Sequence, residues 1–216
     1  MIHITEVMDY LTEPELLGWM LRTPKARREK SSEDSLLIGS EVDRLIQIDL
    51  GLPSITKPQQ TIPASLAISI ENSMKAWGQF KQDRPDIITG IKAIQVELEH
   101  DGMLGHPDAF FEDDNRWGII DFKTSRTMYP RYWTQTAQYT ELKRFSHHLD
   151  TYIRKPRFIA ILRLDKETGK PHYLEICDEG QIAYEVGVFG AYRVAYEHNQ
   201  RCREFIRQQL ELEILK

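Results

Sequence analysis

The sequence predicts an α/β (α+β) fold, a mixed central sheet flanked by helices and preceded by an N-terminal helical segment. Three observations carry this expectation. Helical periodicity fills most of the first 90 residues, strand-like runs bounded by turn signals gather between 91 and 178, and one helical run between them separates the strands into two groups. The chain has 216 residues, 41% of them hydrophobic, enough for one well-cored domain. It reads as a single unit over 1–216: mainly helical at 1–90, a sheet core at 91–178 that includes a helix at 131–148, and a C-terminal helix at 180–216.

The elements follow in order. Val7, Leu11, Leu16, Leu17, Met20 and Leu21 recur at roughly helical spacing, with Pro14 as a break between two short helices. The basic run "RTPKARREK" reads as a solvated loop, able to contact phosphate if it faces a site. "SEDSLLIGSEVDRLIQIDLGL" reads as a helix started by Ser32 and Glu33 and stopped by Gly51, with an apolar stripe of Leu36, Leu37, Val42, Leu45 and Ile46. Pro53, Pro58 and Pro63 stiffen the connector to a second helix, "ASLAISIENSMKAWGQFKQD", closed before Pro85. Three strand-like runs, "IKAIQVELEH", "LGHPDAFF" and "WGIIDFKT", predict an antiparallel meander. After Pro130 come a helix, two strands, "RFIAILRLD" and "HYLEIC", joined by the turn "KETGKP", and a charged C-terminal helix.

Charge excludes little. With 28 basic and 33 acidic residues, the net charge of −5 does not advertise a polyanion partner, although local patches can still bind one. Cys177 and Cys202 lack C-x-x-C spacing, which argues against zinc and fits free thiols in a reducing compartment. An intracellular, cytoplasmic protein is expected, or one in the host cytoplasm if the source is a virus. The N-terminus carries acidic residues and no unbroken apolar core, so it reads as neither a signal peptide nor a membrane span.

Chemistry concentrates in "GHPDAFFEDDNRWGIIDFKTS", residues 105–125. Asp108 and Asp121 fall on neighbouring strands that share the turn "EDDNR", so the hairpin sets them side by side. Period-two alternation places Lys123 on the face of Asp121 while Phe122 points into the core. Two carboxylates suit Mg²⁺ or Mn²⁺, which take oxygen ligands and keep waters. With the lysine beside them, the set suits phosphodiester hydrolysis. Gly105 would let backbone or phosphate approach closely. Taken alone, D-x-K is also an ordinary same-face ion pair, worth at most about 1 kcal/mol.

Together, Gly105-x-x-Asp108, the run Asp121-Phe-Lys-Thr124 and the helix motif Gln135-Thr-Ala-Gln-Tyr139 resemble the PD-(D/E)XK nuclease superfamily, in its RecB-like branch with a Q-x-x-x-Y helix. That branch includes the mitochondrial genome maintenance exonuclease and CRISPR-associated RecB-like exonucleases. "ITEVMDYLTEPELLGWML" and "LIGSEVDRLIQ" are similar to its first helical segments, so the resemblance runs from about residue 4 to 145. It implies a restriction-endonuclease-like core and a DNA exonuclease that uses Mg²⁺ or Mn²⁺ and acts on single strands or free ends. Asp108, Asp121 and the Phe122 carbonyl would hold the metal, with Lys123 as the catalytic lysine. Gln135, Tyr139, Arg126 and Arg131 would bind substrate.

Where the branch has a histidine, this sequence has Asp43 after Gly39, an alternative oxygen ligand or a vacated position. Glu97, which shares a strand face with Glu99, is a further candidate ligand, and His106 a weaker one. Lys143, Arg144, Arg154, Lys155 and Arg157 add to a basic rim, and Tyr129, Tyr132 and Trp133 form an aromatic cluster that can stack on bases. An iron–sulfur cluster needs four cysteines, and two are present. A second reading is a nucleic-acid-binding protein that keeps the fold without catalysis. A third, a Schiff-base lysine enzyme, conflicts with carboxylates that raise the lysine pKa. The sequence predicts no membrane association and identifies no protein partner.

Overall fold

The chain is represented by a computed structural model, which describes residues 1–10, 21–51, 61–145 and 157–214. Strand β1 (Ile2–His3) runs into helix α1 (Ile4–Tyr10). The second short helix expected after Pro14 lies outside the described residues. Helix α2 (Lys25–Leu50) begins well before the expected start at Ser32. Residues 25–30 are strong helix formers and Pro24 at φ −54° stands just ahead of them, so the basic run rides on the first turns of the helix rather than on a loop. Gly51 ends it in the left-handed conformation, its N–H donating to Gln47 O and Ile48 O.

A short 3₁₀ turn (Ala64–Leu66) leads into α3 (Ala67–Asp83), which stops before Pro85. That proline opens a further short helix, α4 (Pro85–Gly90), because a missing N–H costs nothing in a first turn. Then come β2 (Ile91–Ile94), β3 (Leu98–His100), β4 (Met103–Gly105), β5 (Ala109–Glu112), β6 (Trp117–Lys123), α5 (Pro130–Phe145), β7 (Arg157–Leu164), β8 (Pro171–Ile176) and α6 (Glu179–Ile214).

Two of the three expected strands of the meander are each divided. "IKAIQVELEH" breaks after Ile94 because Gln95 takes a left-handed φ of 50°, and "LGHPDAFF" breaks at Pro107, which has no N–H for a ladder. Their halves enter different sheets. A small sheet has the order β1-β4-β3, and the main sheet has the order β2-β5-β6-β7-β8. The main sheet is mixed: β6 and β7 pair in parallel and its other neighbours are antiparallel. A parallel pair needs a crossover, and α5 supplies it.

Helices cover both faces, so β6 and β7 are apolar almost throughout rather than alternating. Ile120 and Phe122 face a core built with Ile38, Val42 and Ile46 of α2 and with Trp77 and Phe80 of α3. Trp117 and Ile119 face the other way, toward Ile4, Val7, Tyr139, Leu142 and Phe189. The odd-numbered side of β6 therefore looks at α1, α5 and α6, and this side carries Asp121 and Lys123 where the strand ends. No helix among the described residues is long and apolar enough to cross a membrane.

The centre of the sheet tolerates no bulk at Gly118, paired with Phe158 on β7: an added Cβ would lie 2.5 Å from the Phe158 carbonyl oxygen. Gly118→Ala is expected to destabilise the fold by about 1–3 kcal/mol, the usual cost of overpacking. Urea denaturation reads this directly, and an unchanged midpoint would contradict the packing.

Candidate active site

The β5–β6 register pairs Ala109 with Ile120. One step further, Asp108 comes alongside Asp121 at the open end of the hairpin, the end opposite the "EDDNR" turn near which the sequence reading set them. Both project to the α5 side. Asp108 is held from two directions: its Oδ2 accepts the Phe122 N–H at 2.7 Å and its Oδ1 accepts the Gln95 side-chain amide at 2.7 Å. The Phe122 side chain turns to the opposite core against Trp77, with ring centroids 5.7 Å apart.

Asp121 is buried, 2% exposed. Its Oδ2 is held by the Lys123 ammonium as a buried ion pair. Burial, with the neighbouring Asp108 adding to it and Lys123 opposing it, pushes the Asp121 carboxyl up to about 7. Burial works to lower the Lys123 ammonium, but the Asp121 and Asp108 carboxylates outweigh it and hold the ammonium above its ordinary value. A charged lysine is the wrong state for a Schiff-base nucleophile and the right one for an electrostatic partner.

Helix α5 closes this end of the sheet. Gln135 and Tyr139, four apart and so on one face, are joined by a hydrogen bond from the Gln135 amide to the Tyr139 hydroxyl at 2.8 Å. Tyr139 is 3% exposed, and burial followed by the nearby Asp121 charge raises its phenol above the usual range. Its ring occupies the space beside Gly105, where a Cβ would lie 2.6 Å from Cε1. The glycine that the sequence reading reserved for phosphate or backbone thus makes room for Tyr139. Tyr132 lies between two cations, with the Lys123 ammonium 5.0 Å and the Arg131 guanidinium 5.8 Å from its ring centroid. Tyr129 packs edge-on against it at 5.5 Å.

The other expected residues are placed less closely. Gly39 of α2 faces Thr124, just past Lys123, with 3.7 Å from a notional Cβ to the hydroxyl. Asp43 follows one turn later, half-buried. Glu97 is exposed and pairs with His106 at 3.2 Å, and His106 in turn stacks on His3. Among the described residues no group of three or more His, Cys, Asp or Glu converges as a metal site. Arg131 reaches Asp9 at 3.4 Å, and Arg126 pairs with Glu167 at 2.7 Å on the surface.

The basic rim is smaller than expected. Arg157 is buried and bound to Glu141, Glu179 and Thr140, so it ties α5 to α6 rather than facing solvent. The Lys143 ammonium sits over Phe110, 4.5 Å from its centroid. Arg154, Lys155 and the side chain of Arg144 lie outside the described residues.

Sequence reading missed two contributors, Gln95 and Arg163, and underplayed a third. Gln95 carried no recognisable signal. Tyr132 was legible only as one aromatic among several. Arg163 had a signal, a charge inside the buried run "ILRLD": opposite Lys123 on β7, it donates to the Arg126 carbonyl at 2.9 Å and fixes the loop leaving β6.

No family model matches the chain, and no curated protein matches it. Fifteen chains of solved structures do. They include an exonuclease candidate from Eubacterium rectale, at TM-score 0.48 and 16% identity over 76% of this chain and 66% of that one, so that this chain spans just under two thirds of its length. An alkaline exonuclease from Laribacter hongkongensis, LHK-Exo, is similar at TM-score 0.37 and 15% identity over 95% of this chain and 94% of that one, as is the same enzyme in complex with dAMP. Likenesses this low leave the function to be judged from the side chains themselves.

Burial of Asp121 has a measurable consequence. Burial holds the carboxyl well above its ordinary value, so the folded state holds the proton more tightly than the unfolded chain. This contribution favours folding at low pH and is lost as pH rises from about 4 to about 7. In EDTA, the wild-type melting temperature is expected to fall relative to Asp121→Asn across that window. Parallel curves for the two proteins would contradict the assignment.

Proposed function

We propose that this chain is a divalent-metal-dependent deoxyribonuclease of the PD-(D/E)XK superfamily, in the RecB-like branch, hydrolysing DNA from free ends with a preference for single strands. The observation that carries the reading is the buried Asp121–Lys123 ion pair with Asp108 beside it at a strand end. Two carboxylates side by side in a buried corner are a donor set that Mg²⁺ or Mn²⁺ fits. Asp108, Asp121 and the Phe122 carbonyl would hold the ion, with Asp43 on α2 as the further candidate and Glu97, committed to His106, a weaker one. When bound, such an ion polarises a phosphate oxygen and acidifies a water.

The remaining work belongs to the chain. Lys123, held charged by its two carboxylates, offers an N–H toward the attacking oxygen and the developing phosphorane charge. The Gln135–Tyr139 pair supplies a hydroxyl and an amide to position the scissile phosphate. Arg131 and Arg126 track the backbone independently of sequence. Work inside a cell is part of the same proposal.

The absence of a third converging acid among the described residues favours one alternative, a DNA-binding protein of the same fold without catalysis. Incubating end-labelled linear and circular DNA, single- and double-stranded, with Mg²⁺, Mn²⁺ or EDTA separates the two. Metal-dependent release of label from linear DNA alone supports the exonuclease; binding without cleavage supports the alternative.

Asp121→Ala is expected to lower cleavage by about 10³-fold or more, and Lys123→Ala by about 10²–10³-fold, the scale of losing a preorganised electrostatic group. Calorimetry should find metal affinity weakened in the first and kept in the second. Normal turnover in either variant would remove that residue from the chemistry. Tyr139→Phe should raise KM several-fold with metal affinity unchanged; wild-type kinetics would return the phenol to a packing role.

A further inference from the structure

Gln95 has no place in the motifs above, yet its geometry is unusual in three ways at once. It adopts φ 50°, a region that residues other than glycine rarely occupy. Its backbone N–H donates to the Asp108 carbonyl at 3.1 Å, and its side-chain amide donates to Asp108 Oδ1 at 2.7 Å. One residue therefore grips both the main chain and the carboxylate of Asp108, and the left-handed bend lets it do so between Ile94 and Leu98.

We propose that Gln95 is a positioning residue that orients the Asp108 carboxylate for a divalent cation. This rests on the nuclease reading of the site. A carboxylate offers about four acceptor directions on two oxygens. The Phe122 N–H takes one direction on Oδ2 and the Gln95 amide takes one on Oδ1, so the plane of the group is fixed and its other acceptor directions are left for a ligand and for the Asp121 carboxyl beside it. Without the amide, Asp108 is held at a single oxygen and can rotate about its χ angles. Asp121, ion-paired to Lys123 beside it, then faces a partner of indefinite orientation. Partners that hydrogen-bond a ligating carboxylate act in this way, and removing one typically costs 10–100-fold in metal affinity.

A purely structural role is the competing account: the bend at Gln95 sends the chain from the main sheet to the small one. Two substitutions separate the roles. Gln95→Gly keeps the backbone N–H and adopts φ 50° more readily than glutamine, so it preserves the bend and loses the side chain with its amide. Gln95→Met keeps the length and bulk of the side chain and also loses the amide. Mn²⁺ titration calorimetry on the full chain, with melting temperature measured in parallel, is the experiment.

Both variants are expected to bind Mn²⁺ about 10–100-fold more weakly than wild type, with Gln95→Gly melting no lower than Gln95→Met. Wild-type affinity in both would overturn the assignment. Weakened binding in Gln95→Met alone would also overturn it, by tracing the effect to the bend. If the wild-type chain binds no Mn²⁺, the nuclease reading itself falls and this inference with it.

Discussion

Slide β5 along β6 by a single residue and Asp108 turns to the opposite face of the sheet, leaving Asp121 beside the lysine with no second carboxylate. The register that prevents this is set by apolar side chains. Ala109 and Phe111 fit the core under α2 and α3, while Phe110 fits the one under α5 and α6. A shift would exchange these sets and strand three buried residues on the wrong side. Hydrophobic packing along the hairpin thus holds two acids together at its end, where electrostatics alone would drive them apart.

Around that pair, charge is managed by burial and by neighbours. Lys123 neutralises one carboxylate, Tyr132 spreads its ring beneath the ammonium, and Gln95 and the Phe122 amide hold the other acid. At the far end of the strands a separate set is self-contained: Arg116 binds Glu175, and Tyr173 donates to the same carboxylate at 2.7 Å. That second set is one carboxylate closed by its two donors, whereas the first sets two carboxylates side by side with a single ammonium between them and the aromatic ring.

How much of this was legible depends on the range of the interaction. The faces of Asp121, Lys123, Gln135 and Tyr139 follow from periods of two and 3.6 within single elements, and the sequence states them. The stop at Gly51 and the crossover helix after Pro130 are similarly local. What failed was partly local and partly tertiary. Helix α2 began before Ser32 because nothing in the basic run opposes a helix, and the expected rim lost Arg157 because Glu141 and Glu179 bury it from α5 and α6. The division of "IKAIQVELEH" depends on Gln95 finding Asp108, thirteen residues on, and no propensity anticipates such a bond.

The contact between Gly105 and the Tyr139 ring binds two distant parts of the sequence into one choice. A residue with any side chain at 105 is compatible only with a smaller or displaced group at 139, and a tyrosine at 139 only with glycine at 105. A strand and a helix separated by more than thirty residues thus divide one volume between them, and bulk added at 105 has to be given up at 139.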